Sequence, residues 1–112
     1  MSETCKQQLV RMCKNIAEGI TNPNQNYKGP EDEEPREETA HDWMADTYDI
    51  RYYVDRDKRY LGSEILVAGG GPTIWVNTYT KEVEGYWGGD CVKKPFIDNL
   101  GLDEYNEEMY QC

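Results

Sequence analysis

The sequence predicts a single α+β domain: an antiparallel meander of about four strands, packed on one face by an amino-terminal and a carboxy-terminal helix. Three observations carry that expectation. Residues 60–90, YLGSEILVAGGGPTIWVNTYTKEVEGYWGGD, divide into short β-branched and aromatic runs separated by turn-forming residues. Apolar residues recur at helical spacing at both ends of the chain, and residues 49–55 alternate with the period of a half-buried strand. A length of 112 residues supports one core and one domain, and nine tyrosines with three tryptophans supply the area to build it.

In chain order, Thr4 with Gln7 forms a capping-box pattern, and Cys5, Leu9, Met12, Cys13, Ile16 and Ile20 then trace an amphipathic stripe. That stripe reads as a face packed on the sheet or as a partner-binding face. Gly19, Ile20 and Asn22-Pro23 mark the helix end. Residues 21–38 read as a mobile loop, TNPNQNYKGP followed by the acidic run EDEEPREE. Pro35 fits the first turn of a second helix with Ala40, Trp43, Met44, Thr47 and Tyr48 inward, which leaves His41 at the surface.

Residues 49–55 alternate Ile50, Tyr52 and Val54 against Arg51, Tyr53 and Asp55. Strands at 64–68 and 73–78 follow, joined by Gly69, Gly70, Gly71 and Pro72, with a register open by one residue. The next loop is Thr80-Lys81 or the four residues 79–82. Either pairs Trp75 with Tyr86, Ile74 with Trp87 and Val76 with Gly85. One sheet face then carries Ile74, Val76 and Trp87, and the other Trp75, Tyr86, Asn77 and Glu84. Phe96 and Ile97 suggest a short edge strand. Leu102, Tyr105, Met109 and Cys112 form a last helical stripe, with Asp103, Glu104, Glu107 and Glu108 opposite.

The net charge of −10 is concentrated in residues 31–60, at −6, and residues 95–112, at −5. Such a balance disfavours direct contact with nucleic acid or anionic lipid and favours a basic protein partner. The expected contacts to that partner are Glu31, Asp32, Glu33, Glu34, Glu37 and Glu38 in the first cluster and Asp103, Glu104, Glu107 and Glu108 in the second. Ordinary solvation of a surface helix is the plain alternative. Cys5, Cys13, Cys91 and Cys112 lack metal-ligand spacing, and the single histidine has no neighbouring ligand, so no metal site is expected. No apolar signal core opens the chain and no run reaches membrane-span length, so the thiols are expected to be reduced in a cytoplasmic protein, with no membrane contact.

Glycine-rich loops can expose backbone N–H groups to an anion, but GGGP leads into a strand and YWGGD into no known cradle. The candidate ligand or anchor residues are Tyr53, Gly70, Gly71, Pro72, Trp75, Asn77, Tyr86 and Asp90, because aromatic rings rimmed by Arg51 can stack a planar molecule such as a nucleotide. No nucleophile has a base beside it in the sequence, so neither catalysis nor a cofactor is expected.

Leu61-Gly62, then GGPTIWVNT at 70–78, then VEGYWG at 83–88 together resemble small acidic, largely uncharacterised proteins carried by bacterial phages, plasmids and other mobile elements. Tyr48 to Val54 and the acidic ending with Cys112 echo them more weakly. Similar sequences often carry Asn where Thr73 stands. The resemblance implies a genomic setting in which many small acidic proteins act against host defence systems, including CRISPR effectors and restriction enzymes. The resulting expectation is a non-enzymatic, anti-CRISPR-like inhibitor in the host cytoplasm that blocks a basic nucleic-acid-binding surface. The alternatives are a protein that binds or sequesters a nucleotide-like ligand and an accessory or structural protein without inhibitory role.

Overall fold

The structure, a computed structural model, describes residues 3–112. In chain order the elements are α1 (Cys5–Thr21), α2 (Ala40–Met44), β1 (Asp49–Val54), β2 (Tyr60–Ala68), β3 (Thr73–Asn77), β4 (Glu82–Trp87), β5 (Asp90–Pro95) and α3 (Leu102–Gln111). The five strands form one antiparallel sheet in the order β1-β2-β3-β4-β5, a meander with one strand more than expected. The extra strand comes from Gly88, whose φ of 61° permits a two-residue turn into β5. Phe96 and Ile97, expected as an edge strand, lie beyond it. Phe96 is buried and Ile97 exposed.

Helix α1 opens with the capping box read from the sequence: Thr4 Oγ1 accepts the Gln7 N–H at 3.1 Å, and Gln7 Oε1 accepts the Thr4 N–H at 2.9 Å. The helix continues through Gly19 to Thr21. Leu9, Cys13, Ala17 and Ile20 form its buried stripe, while Cys5, expected inward, is exposed in the first turn. The stripe lies on β4 and β5, and α3 lies on β2. Ile65, Ile74, Val76 and Val83 are sealed beneath them. Gly85 sets the closeness of α1, because a Cβ there would stand 2.5 Å from Cys13 Sγ and 2.8 Å from Leu9 Cδ1.

Helix α2 is shorter than expected and begins after Thr39, whose Oγ1 accepts the Asp42 N–H at 3.3 Å. Pro35 therefore lies outside it. Ahead of it, Tyr27 and Arg36 exchange two backbone hydrogen bonds of 2.8 Å across the acidic loop.

The pairing of β3 with β4 corrects the expected register by two residues. Trp75 faces Glu84, Ile74 faces Gly85, Val76 faces Val83, and Tyr86 faces Thr73. The connecting loop is residues 78–81, one position earlier than expected. A shift of two preserves side-chain parity, so Ile74, Val76 and Trp87 still face the helices and Trp75, Asn77, Glu84 and Tyr86 still face away. The loop starts early because Asn77 Oδ1 accepts the N–H groups of Tyr79 and Thr80, both at 2.9 Å.

Candidate functional site

The side of the sheet without helices brings together four of the proposed anchor residues. Arg51 lies over the Trp75 ring, 4.7 Å from its centroid, so the surface expected to stack a ligand is already covered by a guanidinium. Asn77, nearly buried, donates to Tyr53 Oη at 3.0 Å and to Glu84 Oε2 at 3.4 Å, and Tyr53 donates to Glu64 Oε2 at 2.8 Å. Burial first, and then the bond to Glu64, push the Tyr53 phenol up to about 12. Lys93 pairs with Glu84 at 3.7 Å. Most polar groups at the centre of this face thus answer one another, and Tyr86 remains the more accessible ring.

Gly70, Gly71 and Pro72 do not join that constellation. They form the exposed end of the β2–β3 connection, and a Cβ on Gly71 would come within 3.9 Å of Trp87 Nε1. Asp90 pairs with Trp87 and shares the parity of the helix-covered face. Sequence reasoning missed Tyr79, whose ring lies 5.8 Å from that of Tyr53. The signal for it was Gly62, where a Cβ would stand 2.6 Å from Tyr79 Cβ.

The acidic residues divide into two kinds. Asp32 accepts the Gly29 N–H at 2.9 Å and pairs with Arg36, which also pairs with Asp42 at 2.6 Å. The Arg36 guanidinium, followed by the Thr39 N–H, holds the Asp42 carboxyl well below the usual carboxylate range. Glu38 is half-buried, and burial followed by the Asp42 charge raises its carboxyl. By contrast, Glu31, Glu33, Glu34 and Glu37 are exposed and form no ion pair among the described residues.

Helix α3 repeats the division within one turn. Its N-terminus is held by Asp98, which accepts from the N–H groups of Leu102 and Asp103 at 2.8 and 2.9 Å. Asp103, expected on the outer acidic face, points inward. Its Oδ1 accepts from Tyr60 Oη at 2.8 Å and from Thr78 Oγ1 at 2.9 Å. Thr78 contacts Ser63 Oγ at 3.0 Å, and buried Asn106 donates to the same Ser63 oxygen at 3.1 Å. Burial, outweighing the Ser63 and Thr78 hydroxyls that pull the other way and aided by the bond to Asp103, pushes the Tyr60 phenol up to about 12. Glu104, Glu107 and Glu108 remain outside, exposed and unpaired among the described residues.

A groove of about 250 Å³ opens between α2, α3 and β1, lined by His41, Met44, Ala45, Ile50, Tyr52, Tyr105, Asn106 and Met109. Its polar tips are partly satisfied, because His41 Nδ1 lies 3.0 Å from Tyr105 Oη. Met109, expected inward, is half exposed at the rim, and Cys112 is exposed. His41 is also a wall of a second depression of about 360 Å³ that contains Glu31, Asp32, Arg36 and Asp42. The helical period had put Tyr105 and Met109 on one side of α3, but nothing in the sequence brought α2 beside them.

Among the described residues, no helix is long and apolar enough to cross a membrane, and no three His, Cys, Asp or Glu side chains gather to hold a metal ion. Comparison with protein-family models, with curated proteins and with solved structures returned no match to this chain.

Proposed function

We propose that this chain is a non-enzymatic binding protein whose negative surface occupies a basic, nucleic-acid-binding surface on a bacterial host defence protein. One observation carries the reading: Glu31, Glu33, Glu34, Glu37, Glu104, Glu107 and Glu108 are exposed and take no ion-pair partner among the described residues. The chain holds 22 acidic residues against 12 Lys and Arg, so excess negative charge is left to repel itself. A basic surface relieves that repulsion and is drawn in from a distance.

Successive turns of α3 place carboxylates about 5.4 Å apart along its axis, against about 1.7 Å per charge along a duplex. The resemblance to a nucleic-acid backbone is therefore one of field and not of spacing. Attraction of this kind raises the association rate and fades as salt shortens the screening length, which is about 8 Å at physiological strength.

The test is a pull-down from host lysate at low and high salt, using the wild type and the triple variant Glu104→Gln, Glu107→Gln, Glu108→Gln. The expected capture is a basic nucleic-acid-binding protein that is released by salt, displaced by added nucleic acid, and bound less well by the variant. Capture that ignores salt, charge neutralisation and nucleic acid alike overturns the reading.

A further inference from the structure

We infer that the groove between α2, α3 and β1 receives one large apolar side chain from a basic segment of the partner, and that this groove anchors the complex in place of the open aromatic face. The inference rests on the basic-partner reading above and names the contact that reading lacks. Three observations converge on it.

Size comes first. At about 250 Å³ the groove lies below the roughly 300–1,000 Å³ of small-molecule sites and suits a single bulky side chain.

Lining comes second. Met44 and Met109 stand in the wall with Ile50, Tyr52 and Tyr105, and the unbranched thioether chains of methionine adapt to whatever shape enters. The polar pair in the wall, His41 Nδ1 and Tyr105 Oη, already engage each other at 3.0 Å, so the groove asks little hydrogen bonding of its occupant. Tyr52 is 37% exposed and Met109 50%, which leaves apolar surface unsealed at the entrance.

Charge comes third. On α3, Glu104 and Glu108 flank Tyr105 and Met109 in sequence and face solvent. Across the groove, His41 is shared with the depression that holds exposed, unpaired Glu31 beside Asp32 and Asp42, both of which are already answered by Arg36. An apolar slot with carboxylates on both banks complements a segment that carries one apolar anchor between Lys or Arg residues. The open face lacks this arrangement, since Arg51 covers Trp75 and Lys93 answers Glu84. Pairing of a partner strand along the free edge of β1 is disfavoured at its start, because Asp49 Oδ1 already accepts the Ile50 N–H at 2.8 Å.

The test uses the full chain and three short labelled peptides: one with a central Trp between Lys and Arg residues, one with that Trp replaced by Ser, and one with the Trp between neutral residues. Binding is followed by fluorescence anisotropy. The Trp-bearing basic peptide is expected to bind tightest, and Met109→Lys, at a half-exposed position that tolerates charge, is expected to weaken it about tenfold. Ala45→Trp, which fills the slot from the exposed end of α2, is expected to do the same, while Tyr86→Ser on the open face leaves binding unchanged. Thermal melts of each variant report folding.

Equal binding of the Ser-bearing basic peptide, or a loss with Tyr86→Ser and none with Met109→Lys, overturns the groove and leaves the electrostatic reading standing. Equal binding of the neutral Trp peptide keeps the groove and overturns the basic partner. Sedimentation showing a dimer that Met109→Lys dissociates makes a second copy the occupant and overturns the inference, as does failure of every peptide to bind.

Discussion

On the helix-covered side of the sheet, Ile65, Ile74, Val76 and Val83 are closed off from water, whereas on the reverse side Tyr53, Glu64, Asn77 and Glu84 satisfy one another beside solvent. Strands β2, β3 and β4 supply both sets from alternate residues, and β1 adds Tyr53 to the second. The first side is held by exclusion of water and close packing, and at Gly85 it has no room for an added carbon. The second is held by polar pairs whose strength is shared with water, so it bends to substitution. Where a residue sits between these regimes, as Asp103 does under α3, its loss strands several partners at once.

The sharpest way to break this contrast is at Gly85. Gly85→Val drives carbon into Cys13 Sγ and Leu9, and the expected loss is about 3 kcal/mol in urea unfolding. Pairing Gly85→Ala with Cys13→Ala should recover part of the smaller alanine penalty, since one of the two closest atoms is then gone. Additive costs in that double-mutant cycle would mean that α1 is not held as closely as described.

Asp103→Ala should cost about 2 kcal/mol, because Tyr60 Oη and Thr78 Oγ1 lose a shared acceptor in a half-buried site. Glu104→Ala, one residue on and exposed, should stay within about 0.5 kcal/mol of wild type. Equal effects from the two changes would erase the distinction between inward and outward acids.

Alkali probes both sides together. Tyr53 on the open side and Tyr60 beneath α3 are both pushed up to about 12. An unfolded chain releases such protons near pH 10, so the folded state holds more protons between about pH 10 and 12, and stability falls as pH rises through that window. Tyrosinate absorbance followed alongside denaturant melts should show this decline, and Tyr53→Phe should flatten part of it. The smallest expected effect is Arg51→Ala, about 0.5–1 kcal/mol for an exposed cation–π contact, with a change in Trp75 fluorescence.

What the sequence made legible was local. The Thr4–Gln7 box lies within one turn, and the alternation in Ile74, Trp75, Val76 and Asn77 survives any even slip of register. The register itself was set by Asn77 Oδ1 drawing in the N–H groups of Tyr79 and Thr80, one of several turns that the same residue types permit. Asp103 was harder. Nothing in LDEYNEE distinguishes it from Glu104, and its partners Thr78 and Tyr60 lie 25 and 43 residues away. The groove was illegible for a similar reason, since α2 is only five residues long and its place beside α3 depends on how the loop before it folds back.

The bonds that turn Asp103 inward also deny α3 the freedom to roll. With its amino end gripped by Asp98 and its flank pinned to two hydroxyls, the rod keeps Glu104, Glu107 and Glu108 on its outward side. On the proposed reading, a basic partner meets these charges on a helix already held in place, and less order has to be imposed on binding.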